Sequence, residues 1–180
     1  MASLRLLPTE IEGVAIVESL PSVDERGYFE RLFSEEDFSR LGLVAGGVAQ
    51  CAVSHNGVRG TLRGMHFQQS PHGEAKLIRC LSGGVHDVAL DIRETSATYG
   101  RSVAVELRAG DHRALYISAG CAHGFLTLTD DAAVLYCIWG PYVAEAGRTI
   151  RWNDPAFAIH WPSEPVVMSE RDRNALGWTR

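Results

Sequence analysis

Arg63, His66 and Lys76 are the residues of this chain whose types and spacing most directly allow chemistry. They fall in Gly60-Thr-Leu-Arg-Gly-Met-His-Phe-Gln68 and Pro71-His-Gly-Glu-Ala-Lys-Leu-Ile-Arg-Cys80, two segments that read as neighbouring strands. Together they supply a cation, a proton acceptor and a second cation. Such a set suits a site that binds an anionic substrate and moves a proton. Flanking positive charge favours the neutral imidazole that a general base requires. A carboxylate partner is then needed to orient the ring and stabilise its charged form. The alternative at position 66 is a structural histidine.

Further candidates each carry a plain alternative. Tyr136, within an apolar run, is either a core residue with its hydroxyl bonded to backbone or a general acid facing His66 across a cavity. His123, in Gly120-Cys-Ala-His-Gly-Phe125, is either a pocket wall or a turn histidine. Arg26, in Asp24-Glu-Arg-Gly27, is either a diphosphate ligand or a solvated turn charge. Asp172 fits an ordinary first-turn helix acid. His66, His72, Glu74 and His123 invite a metal, but the close His-x-His pair of metal-binding jelly rolls is missing, so no metal is expected.

The elements that must hold these residues read as short strands separated by Gly, Asp, Ser and Pro. Strands are expected at Gly13–Glu18, Val85–Ile92, Ser102–Leu107, Ala114–Ser118, Gly124–Leu128 and Val134–Trp139. In Val85–Ile92, Val88, Leu90 and Ile92 share one face, and Asp87, Ala89 and Asp91 the other. Ser34 caps a short helix ending near Leu41 with Gly42 as its stop, and Ser169 caps a second short helix. The spacing is that of an antiparallel sandwich or barrel. Without β/α alternation, a parallel doubly wound sheet is excluded.

The chain has 180 residues, 46% hydrophobic and 22% charged, as expected of one globular domain over residues 1–180. A net charge of −5 argues against a nucleic-acid binder, while leaving room for a local cationic pocket. The first residues hold too short an apolar run for a signal peptide, and no stretch is long enough to span a bilayer. A cytoplasmic protein with reduced thiols is therefore expected. The four cysteines, Cys51, Cys80, Cys121 and Cys137, form no CxxC pair and are expected to be buried or half-buried structural residues.

Several segments, in order, resemble the dTDP-4-dehydrorhamnose 3,5-epimerase family. They are Asp24–Phe29, Gly60–Gln68, Lys76–Cys80, Asp87–Arg93, Ala122–Phe125, Leu135-Tyr136, Tyr142, Ile150–Pro155, Ile159–Pro162 and Ser169–Asp172. The resemblance covers about residues 10–173. It implies an all-β, cupin-type antiparallel jelly roll with short flanking helices, acting as a homodimer with exchanged strands and without a cofactor. The implied substrate is a nucleotide-diphosphate sugar bearing a 4-keto-6-deoxy group, epimerised at C3, C5 or both. By motif position His66 is the base, Asp172 its carboxylate partner, Tyr136 the acid and Lys76 the group facing the enolate oxygen. Arg63, with Arg26 from the partner subunit, holds the diphosphate, and Gln50, His123 and Tyr142 line the pocket.

The chain departs from that pattern on the nucleotide side. Arg31 stands where many members carry Glu, the Gln50–Arg63 segment is one residue longer, and Val53-Ser54 replaces a common Asn and Ser. Cys137 follows Tyr136 where Lys is frequent. These changes admit a specialised deoxysugar pathway beside rhamnose synthesis. The rival functions are a nucleotide-sugar 3,4-ketoisomerase, a non-catalytic sugar-binding jelly roll and a metal-dependent cupin dioxygenase.

Overall fold

The computed structural model describes residues 3–43 and 47–179. Its strands are β1 (Leu4–Pro8), β2 (Val14–Ser19), β3 (Ser22–Asp24), β4 (Gly27–Phe29), β5 (Gln50–Asn56), β6 (Leu62–Gln68) and β7 (Ala75–Ser82). They continue with β8 (Gly84–Asp91), β9 (Ser102–Arg108), β10 (Arg113–Ile117), β11 (Cys121–Thr127), β12 (Ala132–Trp139) and β13 (Gly147–Thr149). Two short α-helices, α1 (Glu35–Arg40) and α2 (Glu170–Arg173), and a 3-10 turn at Ala144–Ala146 complete the named elements.

One sheet has six strands in the order β1-β2-β10-β7-β12-β5, and a second has five in the order β13-β6-β11-β8-β9. Every pairing between these strands is antiparallel. The antiparallel sandwich expected from the spacing is the fold observed, in the all-β jelly-roll form that the resemblance implies. One expectation needs correction. β6 and β7, which follow each other in the chain, do not pair; they lie in different sheets. Arg63 and His66 therefore stand on one wall of the sandwich and Lys76 on the other.

The interior between the sheets is filled by Ile78, Cys80, Val85, Ala89, Leu115, Phe125 and Val134, all buried. Alternation along β8 explains why that strand is buried on both faces. Val85 and Ala89 point into this interior, while Val88 and Leu90 pack beneath the C-terminal segment with Ile150, Phe157 and Ile159. Fully burying an aromatic such as Phe125 contributes roughly 1.5–3 kcal/mol. The outer face of the six-stranded sheet is covered by α1, whose Phe38 stacks on Trp139 at 5.4 Å.

Both helices start at their expected serines. Ser34 Oγ accepts the Asp37 N–H and Ser169 Oγ accepts the Asp172 N–H, each satisfying an otherwise orphaned donor of the first turn. Cys80, Cys121 and Cys137 are buried, but Cys51 is exposed because β5 is the outermost strand of its sheet, which corrects the expectation for that residue. The β3–β4 hairpin stands apart from both sheets and exposes Val23, Tyr28 and Phe29. Among the described residues no helix is long and apolar enough to cross a membrane.

Candidate active site

A pocket of about 230 Å³ opens between the two sheets, and its lining includes Gln50, Arg63, His66, Lys76, His123, Tyr136 and Tyr142. Strand register explains the grouping. On one wall Gln50 of β5, Ile138 of β12 and Lys76 of β7 form a single cross-strand row, with Tyr136 one step along the same face of β12. On the other wall His66 of β6 and His123 of β11 are directly opposed.

Arg63 and His66 are three residues apart, which in an unbroken strand sends their side chains to opposite faces. The structure solves this with a bulge. His66 pairs with His123 and Arg63 with Phe125, so three steps along β6 match two along β11. The extra residue reverses the phase of β6 and turns both side chains into the pocket. Glycines make the crossing possible. Gly64 has φ +133°, and a Cβ there would lie 2.5 Å from Gly124 Cα. A Cβ on Gly124 would lie 2.9 Å from the Arg63 carbonyl oxygen.

His66 is held from behind. Its Nε2 lies 2.6 Å from Asp172 Oδ1, and Asp172 Oδ2 accepts the Gly64 N–H at 3.4 Å. The carboxylate is 3% exposed and the imidazole 39%, so the ring faces the pocket while its partner is shielded. Burial pushes the Asp172 carboxyl up, but hydrogen bonding and charge attraction from His66, with the Gly64 and Ser169 contacts, outweigh it and leave the group below its ordinary value. A carboxylate that stays ionised in this position stabilises an imidazolium.

Tyr136 stands on the opposite wall. Burial first, then the charge of Asp87, push its phenol well above the ordinary value, and Arg63 pulls it partly back. The hydroxyl thus keeps its proton at neutral pH, as an acid must. His123 is a strand residue rather than a turn residue. Its ring meets that of Tyr136 edge-on at 5.8 Å, and its Nε2 lies 2.8 Å from Asp87 Oδ1 in an almost fully buried pair.

Lys76 is 6% exposed, with Nζ 3.0 Å from Glu74 Oε1 and 3.4 Å from the His66 carbonyl oxygen. Arg63 Nε donates to Asn56 Oδ1 at 2.7 Å, and Asn56 is fixed in turn by the carbonyls of Ser54 and Ala132. Gln50 Nε2 is buried with no protein acceptor, leaving a donor for a ligand. Tyr142 enters from the loop after β12. Arg26 is not brought to this pocket. It lies at the tip of the β3–β4 hairpin, paired with Asp24 at 2.5 Å.

Sequence reasoning missed several members of the site. Asp87 carried a signal, as a carboxylate on the inward face of an apolar alternating strand. Glu74, considered above only as a metal ligand, also lines the pocket with Gln68, Arg148 and Arg171, and Asn56 anchors Arg63 behind it. Gln68, Arg148, Arg171 and Asn56 carried no signal, because their places depend on side-chain contacts between elements that local pattern does not pair. Among the described residues no three His, Cys, Asp or Glu side chains cluster as a metal site.

A larger groove of about 740 Å³ lies beyond β13, lined by Phe67, Ile92, Ile150 and Trp178, but it holds none of the paired acid–base groups. The smaller pocket is where the chemistry converges.

Residues 8–179 match the family profile of dTDP-4-dehydrorhamnose 3,5-epimerase. A relative of that description from Sinorhizobium fredii is 43% identical over 163 residues, covering 90% of this chain and 83% of the relative. The crystal structure of dTDP-4-dehydrorhamnose 3,5-epimerase from Elizabethkingia anophelis superposes with a TM-score of 0.92 at 35% identity, covering 98% of this chain and 97% of that one. ChmJ, a 3'-monoepimerase from Streptomyces bikiniensis solved with dTDP-quinovose, gives 0.87 at 36% identity, with 95% of this chain and 86% of that one covered. With nearly the whole chain aligned in sequence and in structure, this protein belongs to the dTDP-4-dehydrorhamnose 3,5-epimerase family.

Proposed function

We propose that this protein is an epimerase that inverts C3, C5 or both in a 4-keto-6-deoxy sugar carried on a nucleoside diphosphate. The carrying observation is one pocket with the His66–Asp172 pair on one wall and the Tyr136 phenol on the other. The 4-keto group acidifies the protons on its neighbouring carbons. His66 removes one of them, and Asp172 stabilises the imidazolium that forms. Negative charge then grows on the ketone oxygen, where Lys76 meets it. Tyr136 delivers a proton to the opposite face of the same carbon. The carbon is inverted, and exchange with solvent resets the two groups.

Arg63 holds the diphosphate, and Gln50, His123 and Tyr142 line the sugar and nucleotide subsites. A thymidine diphosphate sugar is the nucleotide class favoured by the ligand of the Streptomyces bikiniensis structure. The protein acts in deoxysugar biosynthesis, in the cytoplasm, as a homodimer. The detached β3–β4 hairpin, with Val23, Tyr28 and Phe29 exposed, supports a dimer in which Arg26 reaches the pocket of the other protomer.

The test is incubation with a 4-keto-6-deoxyglucose nucleotide in D2O, followed by NMR at C3 and C5. Deuterium incorporation with inversion at either carbon supports the proposal. Transfer of the keto group to C3 instead identifies a ketoisomerase, and binding without exchange identifies a sugar-binding protein.

A further inference from the structure

Glu74 lines the pocket but takes no part in the proton transfers described above. Its side chain is 11% exposed, and both of its oxygens are engaged. Oε1 lies 3.0 Å from Lys76 Nζ, and Oε2 accepts the Gln68 Nε2–H at 2.9 Å. Gln68 also donates to the Pro141 carbonyl oxygen at 3.0 Å and accepts the Val143 N–H at 2.8 Å. One line of contacts therefore runs from the loop that carries Tyr142, through Gln68 and Glu74, to Lys76 and the backbone at His66.

The electrostatics around Lys76 call for such a partner. Arg63 of β6, Arg148 of β13 and Arg171 of α2 share the pocket, and each opposes a further positive charge there. A shielded ammonium without a counter-charge gives up its proton more easily. The other carboxylates near the pocket are already taken, Asp172 by His66 and Asp87 by His123. The remaining titratable groups facing Lys76, the phenols of Tyr136 and Tyr142, offer no negative charge at neutral pH. Glu74 is the carboxylate that touches Lys76 among the described residues.

We propose that Glu74 is a positioning residue that holds Lys76 charged and aimed at the substrate's ketone oxygen, with Gln68 locking the carboxylate in place. This rests on the role assigned to Lys76 in the proposed function. Glu74 and Lys76 form a neutral pair before reaction. As the enolate develops, the ammonium sits between two negative oxygens and keeps its proton throughout. Gln68 fixes the second oxygen of Glu74, so the carboxylate cannot swing away with the lysine.

The test compares Glu74→Gln, Glu74→Asp, Lys76→Met and the Glu74→Gln/Lys76→Met double variant. Turnover of a 4-keto-6-deoxyglucose nucleotide is followed from pH 6 to pH 10. Glu74→Gln is expected to bring the alkaline fall in kcat about one pH unit lower, so its loss relative to wild type grows with pH and approaches about tenfold only above the wild-type midpoint. KM should change little. Glu74→Asp, which retains a carboxylate, should restore the alkaline limb. In the Lys76→Met background Glu74→Gln should cost nothing further. Equal losses for Glu74→Gln at every pH, or losses that multiply in the double variant while Lys76→Met alone is impaired, overturn the role of Glu74 alone. Wild-type kinetics in Lys76→Met overturn the assignment of Lys76 beneath it.

Discussion

His66 and Asp172 meet at 2.6 Å although 106 residues separate them in the chain, one on a bulged strand and the other in a single-turn helix. Asp172 grips that strand twice, through the imidazole and through the Gly64 N–H. It therefore fixes both the orientation of the His66 ring and the backbone that carries it. His66→Ala is expected to abolish exchange of the C3 and C5 hydrons with D2O and to lower kcat by about 10⁴. Asp172→Asn removes the charge that stabilises the imidazolium and should lower kcat by about 10². Normal hydron exchange in His66→Ala would remove the histidine from the mechanism.

Tyr136 faces the pocket from the wall opposite His66, so its loss should separate exchange from inversion. In Tyr136→Phe, His66 still takes a hydron and can return one to the same face. NMR should show deuterium incorporated with retained configuration, and product formation should fall by about 10² or more. Inverted product at the wild-type rate would mean that another group delivers the proton.

Asn56 offers a test of Arg63 from behind. It is 3% exposed and passes order from the Ser54 and Ala132 carbonyls to the guanidinium. Arg63→Ala should raise KM by about 10- to 100-fold, the range expected for losing a hydrogen bond to a charged group. Asn56→Ala leaves the charge but frees the side chain, so KM should rise by a few-fold to about tenfold with kcat nearly unchanged. A fall in kcat without a change in KM in Asn56→Ala would show that Arg63 acts on the reacting atoms rather than on the diphosphate.

The fold was legible because local signals and packing agree. Ser34 and Ser169 cap the helices they precede, and the alternation in Val85–Ile92 sorted residues onto the two faces of β8, both of which the structure buries. The site was legible residue by residue but not in its arrangement. Simple strand counting sends Arg63 and His66 to opposite faces, and only pairing with β11 reveals the bulge that reunites them. Nor does local pattern separate consecutive strands into different sheets, which is why Lys76 stands opposite His66 instead of beside it. Asn56 and Gln68 act through contacts that no periodicity encodes.

The last expectation concerns stability at low pH. Asp91 is 0% exposed at the end of β8 and accepts hydrogen bonds from the Arg93 N–H and guanidinium and from the Ser96 and Thr98 hydroxyls. Burial alone pushes its carboxyl up, but these bonds outweigh burial and hold it well below the ordinary carboxylate range. A depressed folded value means that the ionised group contributes its full stabilisation above the unfolded value of about 3.9. That contribution is lost as pH falls toward and through the folded value. Asp172 shifts in the same direction and adds to the effect. Urea unfolding should therefore give nearly constant stability from pH 7 to pH 5 and a steep decline below about pH 4. Asp91→Asn should cost about 3 kcal/mol at pH 7, because it leaves Arg93 without its partner. Between pH 5 and pH 3 the gap between wild type and Asp91→Asn should narrow by about 1 kcal/mol, since a pH unit below the unfolded value is worth up to about 1.4 kcal/mol. A gap of constant size across that range would show that the ionised form of Asp91 adds nothing to the fold and that only its shape matters.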